Sequence, residues 1–414
     1  MTSSILKVEL VKKTYLLKRT KNMILKREIT QDIIAGSKEF PVIAILGPRQ
    51  SGKTTLAQTI FSSHIYLTLE DPDIRIAAQE DPRTFLLTNR NEHGIIIDEF
   101  QHVPQLLSYI QTIVDQEKKA GTFILTGSQN FLMNQSISQS LAGRVSIHTL
   151  LPISIAEFQE NNIEMPEIET ILYQGCYPAI VAKKSSTERL YKNYMQTYLE
   201  RDVRQLTHVG DLGLFQTFIT LCAARIGQLV NFTSLGNDCG ISDATVKRWL
   251  TILEASYIIF QLRPYHDKLG KRLIKSPKLY FYDTGLASFL LKIKDPIELA
   301  THPNRGNLFE SFIISDIIKW FYNHGKLPSV YFWQNQTGHE VDCIIDQGLR
   351  KIPIEIKAGR TVKSNFFQGL EYWNQLTDNE SHNGYVIYGG SSKQIRGYAN
   401  LISWQSMQQL YDTI

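Results

Sequence analysis

Glycine at positions 47 and 52, with Lys53 and Thr54 following at once, gives the spacing G-x-x-x-x-G-K-[ST], and these residue types suit the gripping of a phosphate chain. In such a loop successive backbone N–H groups converge on phosphate oxygens, and the glycines let the backbone come close. Lys53 reaches the β and γ phosphates, and the Thr54 hydroxyl is placed to bind Mg²⁺. The loop works only as a turn from a buried strand into a helix. Both flanks comply: an apolar run from Pro41 to Leu46 precedes it, and Thr55 to Ile60 is helix-competent. The expected nucleotide contacts are Gly47, Pro48, Arg49, Gln50, Ser51, Gly52, Lys53, Thr54 and Thr55.

A second signal lies at Gly94-Ile95-Ile96-Ile97-Asp98-Glu99, an apolar strand ending in two carboxylates at the edge where open α/β sheets bind ligands. Asp98 is placed to complete the Mg²⁺ shell with Thr54, and Glu99 to act as general base on the attacking water. Strand Phe123 to Leu125 runs into Thr126-Gly127-Ser128, so the Ser128 hydroxyl reaches the γ-phosphate or the water, or else caps a helix. Arg144, just before the last strand, fits the charge that develops on a transferring phosphoryl group, in its own site or a neighbour's; the alternative is a surface arginine.

Toward the C-terminus, Glu355 and Lys357 share one face of the strand Ile352 to Lys357, and Asp342 comes from the neighbouring strand, Glu340 to Ile345. One Asp, one Glu and one Lys converging on a sheet edge can hold Mg²⁺ and orient a hydrolytic water for phosphodiester cleavage. An ion pair on the surface is the plainer reading. Glu310 stands on a helix, Leu308 to Tyr322, whose apolar face carries Phe309, Phe312, Ile313 and Ile317.

Between these ends the chain reads helical. Tyr191, Tyr194, Tyr198 and Leu199 form one stripe, expected to be core. Helices over Leu214 to Val230, Thr233 to Cys239 and from Ile241 onward, the last capped by Ser242, lead into a strand, Ile258 to Leu262. That order makes a winged helix, whose third helix would offer Thr245, Lys247 and Arg248 to a nucleic-acid groove. Lys271, Arg272, Lys275 and Lys278, interleaved with Tyr265, Tyr280 and Tyr282, would suit its backbone. A protein contact or a solvated hairpin explains the same residues.

These positions need a chain of several domains, and 414 residues allow two to four. Short apolar strands at Val42 to Leu46, Ile65 to Leu69, Ile95 to Ile97, Phe123 to Leu125 and Val145 to Leu150 alternate with amphipathic segments, which predicts a parallel sheet flanked by helices. The expected division is a basic extension, 1–22; a nucleotide-binding domain, 23–158; a helical and winged-helix region, 159–300, opening on a linker from Gln159 to Glu169; and a last domain, 301–414. Met23 reads as well as Met1 as a chain start. A net charge of +4 permits nucleic acid without arguing for it. The four cysteines, Cys176, Cys222, Cys239 and Cys343, include no C-x-x-C pair, so buried free thiols in a cytoplasmic protein are expected. No apolar run approaches the roughly 18 residues of a membrane span.

Gly47 to Thr55, Ile97 to Gln101 followed by Val103-Pro104, Leu125 to Ser128, Leu141 to Arg144 and Leu151 to Ser154 together resemble a family of prokaryotic AAA-type ATPases, similar to the archaeal, STAND-related branch. The resemblance implies ATP as the nucleotide, an extra strand between those bearing the phosphate loop and Asp98, Ser128 as sensor, and Arg144 as finger or sensor arginine. No guanine-reading N-K-x-D motif stands downstream. It also implies a nuclease-like C-terminal domain, in which Asp342, Glu355 and Lys357 resemble the active-site positions of the PD-(D/E)xK fold and Glu310 its helical glutamate. The functional expectation is an ATPase that binds or acts on DNA or RNA, with homo-oligomers possible. The competing expectation is an ATP-driven signalling or defence switch with a silent C-terminal interaction module.

Overall fold

The computed structural model describes residues 24–128, 137, 140–183, 185–203, 211–265, 275–377, 383–391, 394–396 and 399–414. The expectations on the basic extension, Met23, Lys271 and Arg272 fall outside these residues. The first sheet has five strands, β1 (Val42–Gly47), β2 (Ile65–Thr68), β3 (Ile95–Asp98), β4 (Phe123–Ser128) and β5 (Val145–Thr149), in the order β2-β3-β4-β1-β5. All its pairings are parallel. β4 lies between β1 and β3, where the resemblance places an extra strand.

Period-two alternation gives this sheet two apolar faces. Ile43, Ile45, Ile96 and Ile124 pack against Ile29, Ile33, Leu56 and Ala57 of the helices on one side. Val42, Ala44, Leu46, Ile95 and Ile97 pack against Leu106, Leu107 and Ile110 on the other. The inner strands β1, β3 and β4 are therefore sealed along their length, and ligands have access at their ends.

Helices Leu212–Ala224, Phe232–Cys239 and Asp243–Ala255 precede a hairpin of β6 (Ile259–Leu262) and β7 (Lys278–Phe281), joined by a bridge between Leu229 and Lys278. Ser242 caps the third helix, accepting from Thr245 N–H at 3.2 Å. The first helix ends at Ala224 rather than Val230, because the following residues turn back to pair with β7. The linker expected from Gln159 is shortened by helix Ile155–Glu160, closed by a capping box of Ser154 and Glu157.

The last sheet contains β8 (Val330–Gln334), β9 (Glu340–Gln347), β10 (Arg350–Lys357), β11 (Gly384–Tyr388), β12 (Gln394–Arg396) and β13 (Ala399–Ser403), in the order β12-β13-β11-β10-β9-β8. β10 pairs antiparallel with β9 and parallel with β11. Helix Arg305–Asn323 covers one face and helix Gln368–Thr377 the other. One continuous apolar cluster runs from Leu151 through Tyr191, Phe218, Leu253 and Phe281 to Phe312, Ile354 and Trp404, so the segments on either side of residue 300 share a core. Among the described residues no helix is long and apolar enough to cross a membrane.

Candidate functional site

The phosphate loop leaves β1 at its C-terminal end and enters helix Lys53–Ile60 through Gly52, in the left-handed region at φ +97°. Gly47 has no room for a side chain: a Cβ there would stand 2.2 Å from the Leu150 carbonyl oxygen. Lys53 is buried and donates back to the Gly47 and Pro48 carbonyls at 3.1 and 2.8 Å. Asp98, at the end of β3, is only 6% exposed. It accepts from Thr54 Oγ1 at 2.9 Å, from Tyr66 OH at 2.9 Å and from the Thr126 hydroxyl. Burial pushes its carboxyl above the usual range, against the pull of the Thr126 and Tyr66 hydroxyls.

Glu99 follows with a left-handed backbone, φ +54°, which turns its carboxylate away from the strand direction. Gln101 Nε2 donates to Glu99 and, at 3.1 Å, to Ser128 Oγ, so the two expected catalytic groups sit on one amide. Ser128 Oγ lies 3.5 Å from the Glu99 carboxylate. The structure thus brings Lys53, Thr54, Asp98, Glu99 and Ser128 to one sheet edge.

Arg144 is not among them. Its backbone carbonyl accepts from Val42 N–H at the opposite, N-terminal edge of the sheet, and its guanidinium is paired with Asp115 through two hydrogen bonds. A strand of β1's length separates the edges by roughly 15–20 Å. The structure places Arg144 at the edge away from the phosphate loop, paired with Asp115, because parallel β1 and β5 start together there.

In the C-terminal sheet, Asp342, Glu355 and Lys357 converge. Pairing of β9 with β10 runs as far as Ile354 opposite Cys343. Beyond it the Asp342 carboxylate accepts from Ile356 N–H at 2.8 Å and pairs with Lys357 Nζ at 2.9 Å. Lys357 also pairs with Glu355. Glu355 is pressed beneath the start of helix Gln368–Thr377, where a Cβ on Gly369 would collide with its carboxylate. Burial, reinforced by the Asp342 charge, pushes the Glu355 carboxyl well up. Burial also disfavours ionised Asp342, but Lys357 and Lys278 outweigh it and hold that carboxyl low.

Glu310 meets a different set. Its carboxylate accepts from Tyr280 OH and lies 3.4 Å from Lys278 Nζ, which also pairs with Glu340. Carboxylate oxygens of Glu310, Glu340 and Asp342 come within 4.8 Å of one another, so Glu340 rather than Glu355 completes the group close enough to share a cation. Burial lifts the Glu310 carboxyl to about 7, with Lys278 opposing.

Lys278, Tyr265, Tyr280 and Tyr282, expected along a nucleic-acid backbone, are all at most 8% exposed. Lys278 is spent on the acidic group, and the tyrosines are core. Lys247 and Arg248 are exposed on the third helix of the middle region, Lys247 resting 5.1 Å from the Phe232 ring centre. Thr245 is half-buried, its hydroxyl 3.0 Å from that of Ser242.

Sequence reasoning missed Tyr66, Thr126, Gln101 and Glu340. Thr126 was within reach, since parallel pairing of β3 with β4 sets it beside Asp98. Gln101 already stood in the motif as a residue without a role. Tyr66 and Glu340 carry no local signal; their parts depend on which strands become neighbours.

Residues 39–159 match the family model of an AAA domain. Residues 165–297 and 305–407 match two domains of unknown function, DUF8612 and DUF4143. The chain is 28% identical over 342 residues to an uncharacterized protein of Mycobacterium tuberculosis, covering 82% of this chain and 75% of that one. It is 23% identical over 341 residues to an uncharacterized protein of Haemophilus influenzae, covering 75% of this chain and 83% of that one. Among solved structures it is similar to a Walker-type ATPase of Pyrococcus abyssi, with TM-score 0.44 and 15% identity over 66% of this chain and 98% of that one. With the family match and the loop geometry together, the first module is an AAA-type P-loop ATPase module.

Proposed function

We propose that this chain binds and hydrolyses ATP with Mg²⁺ and passes its nucleotide state to a winged-helix and nuclease-like pair of modules that bind or act on nucleic acid. One observation carries the nucleotide half: Thr54 and Asp98 meet at 2.9 Å beside Lys53, at one edge of a parallel sheet. A hydroxyl and a carboxylate are hard oxygen donors suited to Mg²⁺. The raised proton affinity of buried Asp98 fits a site that wants a cation. Thr54 and Asp98 would hold the Mg²⁺, which would supply positive charge against the phosphate chain. Lys53 exchanges the Gly47 and Pro48 carbonyls for phosphate oxygens, and Gly47 to Thr55 form the cradle. Glu99 takes the proton of the attacking water, and Gln101 holds that carboxylate and Ser128 in register.

The modules are read as 23–158, 159–300 and 301–414, in keeping with three family matches that follow one another along the chain. A nucleic-acid role is supported by the convergence of Asp342, Glu355 and Lys357 and by exposed Lys247 and Arg248 beside Thr245. A cleft of ≈ 630 Å³ lined by Arg263, Lys275 and Lys351, the last paired with Asp346 of the same lining at 2.9 Å, also supports it. The test is an ATPase and nuclease assay on single- and double-stranded DNA and RNA, with and without Mg²⁺. Stimulation or cleavage with a steep salt dependence upholds the reading. Cleavage that persists in a Lys357→Ala protein removes the nuclease assignment.

A second reading, an ATP-driven switch with a silent C-terminal module, is favoured by Lys278, whose ammonium already neutralises Glu310 and Glu340. Gel filtration with and without ATP separates the two. Assembly on ATP without nucleic-acid affinity supports the switch.

A further inference from the structure

Arg27 is only 7% exposed, and its guanidinium touches three separate parts of the chain. Nε donates to Glu157 at 2.8 Å, one terminal nitrogen to the Ser51 carbonyl at 2.9 Å, and the other to the Leu151 carbonyl at 2.6 Å. Ser51 belongs to the phosphate loop. Its carbonyl shares a planar trans peptide with the Gly52 N–H, and in such a peptide the two groups point in opposite directions. Holding the Ser51 oxygen on the Arg27 side therefore turns the Gly52 N–H away from Arg27, toward the face on which a phosphate is gripped.

The other partners lead to the C-terminal module. Glu157 is fully buried and also accepts from Glu28 N–H and Ser154 N–H, each at 3.0 Å. The segment around Ser154 is in turn gripped by helix Arg305–Asn323. Asp316 accepts from Ile155 N–H at 2.8 Å, Lys319 donates to the Ile153 carbonyl at 3.2 Å, and Asn323 donates to Glu28 at 2.9 Å. Positions 316, 319 and 323 lie on one helical face. The same helix carries Glu310.

We infer that Arg27 is the positioning residue of the phosphate cradle, and that Asp316, Lys319 and Asn323 hold it there, so nucleotide at the loop and the seating of the C-terminal helix are energetically linked. The inference rests on the nucleotide-binding reading above. Linkage is reciprocal: a helix that steadies the cradle is itself steadied by nucleotide.

The test titrates MgATP and MgADP into the full chain by calorimetry, below the melting temperature of every variant. If the unaltered protein binds neither, the nucleotide reading falls, and this inference with it. If it binds, Arg27→Ala should weaken both nucleotides about 10- to 100-fold, the loss of a charged hydrogen bond, and Arg27→Lys should recover part of that. Lys319→Met and Asn323→Ala, remote from any phosphate, should weaken MgATP several-fold. MgATP should also slow amide exchange in Arg305–Asn323 of the unaltered protein. A folded Arg27→Ala protein with unchanged affinity overturns the positioning role. Unchanged affinity in Lys319→Met and Asn323→Ala overturns the link, and these two variants decide if Arg27→Ala does not fold.

Discussion

Asp98 shows what a single buried carboxylate needs. It has Thr54, Tyr66 and Thr126 around it, each offering a hydroxyl, and no basic side chain hydrogen-bonds it among the described residues. Glu99, one residue later, is turned out by its positive φ and held by Gln101. The two carboxylates therefore have separate tasks. Glu99→Gln should keep ATP affinity within a few-fold while turnover falls by about 10²- to 10⁴-fold, the usual worth of a general base; binding and phosphate-release assays on one preparation check this. Gly47→Ala should destabilise the protein by about 1–3 kcal/mol, since φ is +150° and a methyl would meet the Leu150 carbonyl. Denaturant titration measures it. At this scale the sequence was clear wherever the chemistry is local: Gly47 to Thr54 and Asp98-Glu99 announce themselves by spacing. Tyr66 and Gln101 did not, because their hydrogen bonds depend on strand neighbours and on a turn.

At the scale of elements, the helix Arg305–Asn323 was visible from its apolar face, and the strands β1 to β5 and β8 to β10 from their alternation and their turn residues. What escaped was the fate of β7. Its Lys278 and Tyr280 read as a basic, aromatic surface, yet the strand is buried on both faces against helix Arg305–Asn323 and β9. An apolar strand announces burial; a lysine that finds two carboxylates across a module border does not. Burial there has a pH consequence. Glu310 rises from its ordinary 4.5 to about 7, so the folded protein holds a proton that the unfolded chain releases between those values. Its contribution is present in full below the lower value and is lost as pH climbs through the upper one. Thermal melts across that window should show unaltered protein losing stability with rising pH, and Glu310→Gln losing less. Equal slopes would contradict the assignment.

At the scale of the whole molecule, the segment Leu150 to Phe158 leads from a cluster on the first sheet into the large cluster of the later regions. The AAA-type module has its own apolar faces, whereas the middle and C-terminal regions share one cluster. The sequence marked the module order through its motifs. It could not mark the shared core, because contacts such as that between Phe281 and Ser311 join residues of different regions. Arg144 belongs to this scale. At the far edge of the sheet its guanidinium pairs with Asp115, as a surface arginine does; as a finger on a neighbouring copy's nucleotide it would be worth about 10³-fold or more in turnover. Arg144→Ala should bind ATP normally and lose turnover, and mixing it with Lys53→Ala should restore activity, each copy supplying what the other lacks. Full activity in Arg144→Ala alone would remove the arginine from the reaction.

The central claim is that the loop from Gly47 to Thr54 grips a triphosphate with help from Asp98. Isothermal titration of MgATP into the full chain tests it most directly. The account predicts a saturable binding heat in the unaltered protein that disappears in Lys53→Ala of unchanged melting temperature. Folded unaltered protein that takes up no purine triphosphate in the presence of Mg²⁺, or a Lys53→Ala protein that binds as tightly, would contradict it.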